Sequence, residues 1–338
     1  MLIDRFASIT GRYAKLRIAL VGDFCLDRYL EIDPDKKETS LETGLPVYNV
    51  TKVRAQPGGA GTILNNLSAL EIGTIYPVGF CGLDGEGYEL CQAMAALPGV
   101  CLDYFLQSPA RRTFTYCKPL LLHPKRPPQE LNRLDSKNWT PTPADLQRLL
   151  AENVRRLAGH VDAFILLSQV DHPETGVVTQ SLLKTIGPLA AAHPQTLVLA
   201  DSRCGFAGYP PIGLKMNLIE FMVFSGLQGK LGLPELCRAA AAHARKRNNY
   251  LFITLAAKGL VGASPNGNVA HLPSLRLRGK IDIVGAGDAV TANLVSALTA
   301  GAELREALEL ANAAASIVVH QLGTTGTASV AQIKGLIV

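Results

Sequence analysis

The 338-residue chain contains no run approaching the roughly 18 apolar residues that a membrane span requires. Its first residues, MLIDRFASITGRYAKLR, carry charges where a secretory apolar stretch would lie. A soluble, cytoplasmic protein with no membrane partner is expected. Charge is also scarce, at 18% of residues against a typical value of roughly 25%. With 48% apolar residues and 31 glycines, the chain is not a disordered polymer but a tightly packed one with close backbone approaches. Seven cysteines, at 25, 81, 91, 101, 117, 204 and 237, never fall closer than ten residues apart. No C-x-x-C pair is available for zinc or redox chemistry, and buried reduced thiols are expected. A nucleic-acid partner is not expected despite the net charge of +5, because the basic residues are scattered. The densest runs are Arg111-Arg112, Lys125-Arg126 and Arg245-Lys246-Arg247. They read as solvated surface, the last at a helix end where cations suit the macrodipole.

Familiar nucleotide and metal signatures are missing too. Gly229-Lys230 runs into Leu231, so there is no G-x-x-x-x-G-K-[ST] loop, and Gly285-Ala286-Gly287 leads to Val290, so G-x-G-x-x-G is incomplete. H-E-x-x-H and G-x-S-x-G do not occur, and the seven histidines are isolated. A dinucleotide oxidoreductase therefore lacks its fingerprint.

What is present is alternation. Apolar runs at 17–23, 73–80, 163–167, 196–200 and 250–255 read as buried strands, and helical periodicity covers 61–70, 87–96, 144–157, 174–192 and 234–245. The order predicts an α/β fold with a doubly wound, mostly parallel sheet, its ligands beyond the carboxyl ends of the strands. Two stretches, 28–55 and 111–135, have no helical period and fit antiparallel strands projecting as a lid. Length alone suggests about two domains. Without a linker between halves, one domain spanning 1–338 with two lid insertions is the better expectation. From 282 onward, small residues fit two packed helices broken near Gly301.

The most informative segment is Asp282-Ile283-Val284-Gly285-Ala286-Gly287-Asp288, directly before a helix. Glycines there let amide N–H groups converge on an anion at the positive helix end, with Asp288 placed to accept a proton from an alcohol. An ordinary loop with a first-turn acid fits the spacing equally well. Pro57-Gly58-Gly59-Ala60-Gly61 can lay backbone against a hydroxyl-rich ligand or pack a helix tightly on a strand. Asp23 and Asp27 can meet sugar hydroxyls or cap loops. Asn217 and Glu220 form a sound capping box, or Glu220 faces hydrated Mg2+. Thr254 through Gly259 leave a strand with a hydroxyl and a flexible turn.

Taken together and in this order, the segments resemble the ribokinase/PfkB family of carbohydrate kinases over about residues 16–328. The carrying residues are Gly22-Asp23 with Leu26-Asp27, Pro57 to Ala60, Val78-Gly79 through Gly87, Asn217 to Glu220, Thr254 to Gly259 and Asp282 to Asp288. GDFCLDRYL, LPVYNV, Arg133-Leu134-Asp135 and ANAAASIVVHQLGTTG look most like the kinase half of bacterial heptose-phosphate kinase/adenylyltransferases. No H-x-G-H of an adenylyltransferase half is present, and that half is expected to be absent.

The resemblance implies a general base at Asp288 and an anion hole at Gly285, Ala286 and Gly287. It implies sugar contacts at Asp27, Gly58, Gly59 and Arg133, and nucleotide contacts at Asn217, Glu220, Thr254, Lys258, Gly259 and Asn312. ATP and Mg2+, the latter near Glu220 through water, are the implied cofactors, with K+ near Asp282 and the 323–326 turn as in several relatives. Three positions depart from the family pattern: Thr62 replaces an asparagine, Gln169-Val170-Asp171-His172-Pro173 replaces Asp-Tyr-x-Lys-Gly, and Asp201-Ser202-Arg203 replaces Asp-Pro-Lys. All three lie on the sugar or phosphate side. The expected activity is ATP-dependent phosphotransfer to a sugar or sugar-phosphate hydroxyl. The alternatives are a nucleoside or small-alcohol kinase of the same fold and a non-catalytic ligand-binding relative. Exposed lid edges are expected to pair in a homodimer.

Overall fold

A computed structural model describes residues 1–229 and 231–337. The chain opens with helix α1 (Ile3–Thr10) and strand β1 (Arg17–Gly22), followed by the long hairpin β2 (Phe24–Thr39) and β3 (Pro46–Gly59). Helix α2 (Ala60–Ala69), β4 (Thr74–Gly82), α3 (Gly85–Ala95) and β5 (Phe105–Ser108) complete one flank. Then come β6 (Thr115–Leu121), β7 (Gln129–Glu130) and β8 (Leu134–Ser136). The other flank runs α4 (Ala144–Leu157), β9 (Ala163–Ser168), α5 (Gln180–Ala192), β10 (Leu197–Ser202), β11 (Gly213–Asn217), α6 (Leu218–Ser225) and α7 (Leu233–Arg247). It continues through β12 (Leu251–Thr254), β13 (Leu260–Ala263) and β14 (Val269–Leu272) to α8 (Ala286–Thr299), α9 (Leu304–Val318) and α10 (Val330–Ile337).

The larger sheet has the order β14-β13-β12-β11-β10-β9-β1-β4-β5, parallel except at the last hairpin strands β13 and β14. Its central strands are largely apolar because both faces are covered, with polar residues gathered toward their carboxyl ends. Ile18 and Leu20 of β1 point to one core with Leu64 of α2, Leu294 of α8 and Leu308 of α9, whereas Ala19 and Val21 point to the other with Leu150 of α4, Leu183 of α5 and Leu236 of α7. Alanines 289, 292, 307, 311 and 314, all fully buried, let α8 and α9 approach closely. The chain winds outward from β1 in both directions, so the order reverses between β1 and β9. Such a reversal opens a crevice at the carboxyl ends of the strands.

Asp23, one residue past β1, organises that crevice. Its carboxylate is buried and accepts N–H bonds from Gln169 at 2.7 Å, Val170 at 3.3 Å and Val177 at 2.6 Å, while its carbonyl accepts the Ala60 N–H at 3.0 Å. Burial pushes its pKa up, and the three N–H bonds oppose that shift. The carboxylate thus caps a loop rather than facing the cleft. It also explains why the helix expected from 174 begins only at Gln180: the preceding backbone is drawn into the Asp23 clasp, and Thr179 supplies the cap.

The smaller sheet has the order β3-β2-β6-β7, with β8 also on β6. The lid segments were expected to be antiparallel, and β2–β3, β6–β7 and β6–β8 are. However, β2 and β6 run parallel, from Leu26↔Thr115 to Ile32↔Leu121, because both leave the body in the same direction. Other expectations are corrected by packing. Arg111 is buried rather than solvated, its guanidinium on Thr140 Oγ1 at 3.1 Å and the Thr140 carbonyl at 3.0 Å. Cys204 is exposed, and the distant pair Cys81 and Cys91 brings its sulfurs within 3.8 Å. The Arg245–Arg247 run does end α7. Among the described residues no helix is long and apolar enough to cross a membrane.

Removing the Asp23 carboxylate strands three inward-facing N–H groups. Asp23→Ala is expected to cost about 2–4 kcal/mol in urea unfolding and to speed amide exchange at 169–177 before that of α9. Equal stability with unchanged exchange would show that the clasp does not hold the loop.

Candidate active site

The carboxyl ends of β10 and β11 face the start of α8. Parallel pairing sets Asp201 opposite Lys215, and the Lys215 Nζ lies 2.7 Å from Asp201 Oδ2 with both side chains nearly buried. Burial alone would depress the Lys215 pKa. The attraction of Asp201, with smaller help from Asp288 and Glu220, outweighs it, and the ammonium is held above its usual value. A Cβ on Gly287 would stand 3.0 Å from this Nζ, so the helix start can approach the ammonium only because residue 287 has none. Lys215 was not singled out in the sequence. A lysine inside the apolar piece Ile212-Gly213-Leu214-Lys215-Met216 is the signal that was there to read.

Gly285 caps α8 in the left-handed region, φ 82°, where a side chain would be strained. The turn leaves helix donors open. The Ala286 N–H is drawn to the Ile283 carbonyl at 3.3 Å and Ala289 bonds Gly285, whereas the N–H groups of Gly287 and Asp288 have no partner among the described residues. The Gly285 N–H likewise has no partner among the described residues, so of the three expected donors only Ala286 is engaged, and the Asp288 N–H stands open beside Gly285 and Gly287. Asp288 itself is pushed up to about 7, first by burial, with Lys215 pulling down and Asp201 pushing up. It keeps part of its surface open to the cleft. A carboxyl that titrates near neutrality beside free amides and an ammonium is the chemistry of a base for an alcohol that attacks an anion.

Asn217 and Glu220 do form the capping box, 2.9 Å from Asn217 Oδ1 to the Glu220 N–H and 2.7 Å from Glu220 Oε2 to the Asn217 N–H. Glu220 is also raised by burial, with Asp201 adding to the shift and Lys215 and Arg203 opposing it. No group of three or more His, Cys, Asp or Glu side chains among the described residues is arranged to hold a metal. A divalent ion carried on phosphates still fits here, because a cation relieves a carboxylate whose charge burial penalises.

On the opposite wall Asp27 is buried, raised by burial and partly offset by Lys118, whose Nζ is 3.4 Å away. A Cβ on Gly58 would stand 2.8 Å from Asp27 Oδ2, and one on Gly59, at φ 58°, 2.5 Å from the Asp23 carbonyl. The Gly-Gly corner is thus demanded by the two acids it passes. Arg133 is exposed, bound to Asp135 at 2.6 Å and lying 4.5 Å over the Tyr116 ring. Thr62 is buried with its methyl 3.4 Å from the Cβ position of Gly285, packing on the helix cap where an asparagine would have offered an amide.

The remaining expected positions are held by packing. Thr254 ends β12 with its hydroxyl 3.5 Å from the Met216 carbonyl, and Lys258 is exposed with its carbonyl on His271. A side chain on Gly259 would collide with the Leu272 carbonyl, and Asn312 Nδ2 donates to the Pro273 carbonyl at 2.8 Å. Asp282 accepts the Val284 N–H at 3.0 Å within its own turn. In the 323–326 turn, Thr325 packs on Gly285 and donates nothing to Asp282, while Gln56 Nε2 donates to Thr325 Oγ1 at 2.8 Å.

Comparison with known proteins shows the family and the fold. The profile described as pfkB family carbohydrate kinase matches residues 17–331. The chain belongs to the pfkB family of carbohydrate kinases. Among curated proteins it is 31% identical over 326 residues to a Bifunctional protein HldE of Pelobacter propionicus, covering 95% of this chain and 63% of that protein. A Bifunctional protein HldE of Hyphomonas neptunium is 30% identical, covering 98% and 65%. The chain spans less than two thirds of the length of these relatives. Its fold is similar to that of phosphofructokinase-2 from Escherichia coli in complex with potassium, with TM-score 0.69, 16% identity, and 95% and 98% of the two chains covered. It is also similar to that of Arabidopsis thaliana ribokinase complexed with ribose and ATP, with TM-score 0.63, 18% identity, and 95% and 98% covered. The expected ribokinase-like fold is thereby established.

The charge pattern sets a pH signature for this pfkB chain. Unfolded, Asp288 gives up its proton near about 4; folded, it keeps it to about 7. The stability this group contributes is full below the unfolded value and is lost as pH rises through about 7. Asp288→Asn is expected to flatten that part of the stability profile. Lys215→Met should move the Asp288 titration, followed by carboxyl carbon NMR, further up, and an unmoved midpoint would show that the ammonium is not felt there.

Proposed function

We propose that this chain transfers the γ-phosphoryl group of ATP to a hydroxyl of a sugar or sugar phosphate, with Asp288 as general base. The carrying observation is the Asp288 carboxyl, titrating near neutrality at the start of α8 beside free amides and the Lys215 ammonium. The acceptor hydroxyl gives its proton to Asp288 while its oxygen bonds to the γ-phosphorus, and the bond to the β,γ-bridging oxygen breaks to release ADP. Amides of the 285–288 turn and Lys215 take up the charge that gathers on the phosphoryl oxygens. Asp27, Gly58, Gly59 and Arg133 face the acceptor; Asn217, Glu220, Thr254 and the 256–259 turn face the nucleotide. Bound Mg2+ would neutralise phosphate charge, with Glu220 its neighbour through water. The smaller sheet acts as a lid on a single catalytic domain, excluding water as a competing acceptor.

A sugar is favoured over a nucleoside by Tyr116: Arg133 already lies on its ring, so the face is not free for a base. The sequence resemblance to heptose-phosphate kinases agrees. Asp288→Asn should lower kcat by about 10²–10⁴, and kcat/KM of the wild type should rise with pH to a half-maximum near 7. Activity of the variant within about tenfold of wild type, a loss below about 1.4 kcal/mol, would overturn the base assignment.

The lid also offers a pairing edge. Strand β3 ends its sheet and exposes Tyr48, Val50 and Val53, and a homodimer joined lid to lid would cover them. Sedimentation should then give twice the chain mass for the wild type and a single chain for Tyr48→Lys/Val50→Lys; equal masses would remove the lid from the assembly.

A further inference from the structure

Away from the cleft, packing brings two thiols together. Cys81 lies near the end of β4 and Cys91 on α3, and their sulfurs are 3.8 Å apart. The parallel register of β4 and β5 sets Gln107 opposite Cys81. Its side-chain amide donates to both sulfurs, at 3.6 Å to Cys91 and 3.9 Å to Cys81. The close approach of α3 depends on a missing side chain, since a Cβ on Gly87 would collide with the Gly82 carbonyl.

The two thiols are not equivalent. Cys81 is buried, whereas Cys91 is half-buried beside exposed Gln107 on the edge strand of the larger sheet. The Cys81 S–H donates to Cys91, and that bond, followed by burial, keeps the proton on Cys81. The same bond draws the Cys91 thiol below its ordinary value, with burial opposing it. A thiolate is the reactive form, so the pair combines a reachable nucleophile with a shielded second thiol. Cys204, the exposed cysteine, has no such helper, and its thiol donates to the Val170 carbonyl at 3.0 Å.

We propose that Cys81 and Cys91 are an oxidisable pair that a hydroperoxide closes to a disulfide, and that closure is felt at Asp27 through α3. The Cys91 sulfur attacks one peroxide oxygen, the O–O bond breaks, and the released hydroxide takes up a proton to leave as water. The Cys81 sulfur then attacks the sulfenic sulfur of Cys91. The hydroxyl leaves with the Cys81 proton as a second water, so two thiols lose two electrons and the peroxide gains them. The sulfurs must close from 3.8 Å to about 2 Å, which draws α3 toward β4. Glu89 of that helix bonds Arg28 at 2.7 and 3.0 Å, Glu86 stands 3.9 Å from the same guanidinium, and Arg28 follows Asp27 on β2. Nothing in this proposal rests on the phosphotransfer reading.

The test begins with reduced wild-type protein treated stepwise with hydrogen peroxide, then alkylated and digested. The product should have lost two hydrogen atoms, with the peptides carrying residues 81 and 91 joined, Cys204 still alkylated, and dithiothreitol reversing the link. Cys81→Ser should stop at a sulfenic acid that dimedone labels at Cys91, whereas Cys91→Ser should slow oxidation at 81 by about tenfold or more. In amide NMR of the wild type, closing the link should move the Asp27 and Arg28 signals. Glu86→Gln/Glu89→Gln should shrink that movement while the link still forms. The pair is overturned if peroxide leaves 81 and 91 unlinked in wild type, if Cys204 reacts first, or if the two serine variants oxidise equally fast. A link that forms and leaves Asp27 and Arg28 unmoved would overturn the transmission through α3.

Discussion

Three carboxylates share one buried ammonium at the mouth of α8. Lys215 bonds Asp201 and lies in the field of Asp288 and Glu220. If all four groups were ionised, two negative charges would be left over in a place where burial already penalises charge. The cleft relieves that excess by holding the pKa values of Asp288 and Glu220 above their ordinary range, so that both keep a proton more readily. The same imbalance makes Asp288 a stronger base than a surface aspartate and makes the Glu220 side receptive to a cation. The raised pKa values of Asp288 and Glu220 therefore share one electrostatic origin.

The backbone supplies the opposite sign. A helix start carries partial positive charge, but it helps only where a ligand can reach it, and here access depends on what side chains leave out. Gly285 turns the chain into the left-handed region, Gly287 admits the Lys215 Nζ, and Thr62 and Thr325 fill the space behind the cap. On the facing wall Asp23 ties the end of β1, the start of α2 and the 169–177 loop into one unit. The cleft's two walls are thus braced by different residues, one by a buried ion pair and one by a buried carboxylate that accepts only backbone bonds.

The central parallel strands were legible in the sequence because both of their faces are buried, which writes them as unbroken apolar runs. The capping box at Asn217 and Glu220 and the helix pair about Gly301 were legible for the same local reason. What escaped was set by distance along the chain. Strands β13 and β14 are four residues each and have no pattern of their own, and the parallel pairing of β2 with β6 joins residues about ninety apart. Lys215 means little until β10 brings Asp201 beside it. Gly259 and Asn312 fit a ligand-contact pattern, yet their immediate neighbours are the Leu272 and Pro273 carbonyls. A motif identifies a residue's neighbours in sequence, and packing decides which of several uses its atoms are put to.

The two sheets are joined at points that touch the chemistry. Gln56, near the root of β3, bonds Thr324 and Thr325, and Thr325 packs on the Gly285 cap of α8. Arg28, next to Asp27 on β2, is held by Glu89 of α3 through two bonds of 2.7 and 3.0 Å. Asp84 caps that same helix and accepts the Thr113 N–H at 2.9 Å, just before β6. Any tilt of the smaller sheet about these roots must load the α8 cap through Gln56 and shift Asp27 through Arg28. On the phosphotransfer reading proposed above, an acceptor drawing the sheet down would act on the α8 start and on the Asp27 wall together, which would tie occupancy of the acceptor side to the alignment of the phosphoryl side.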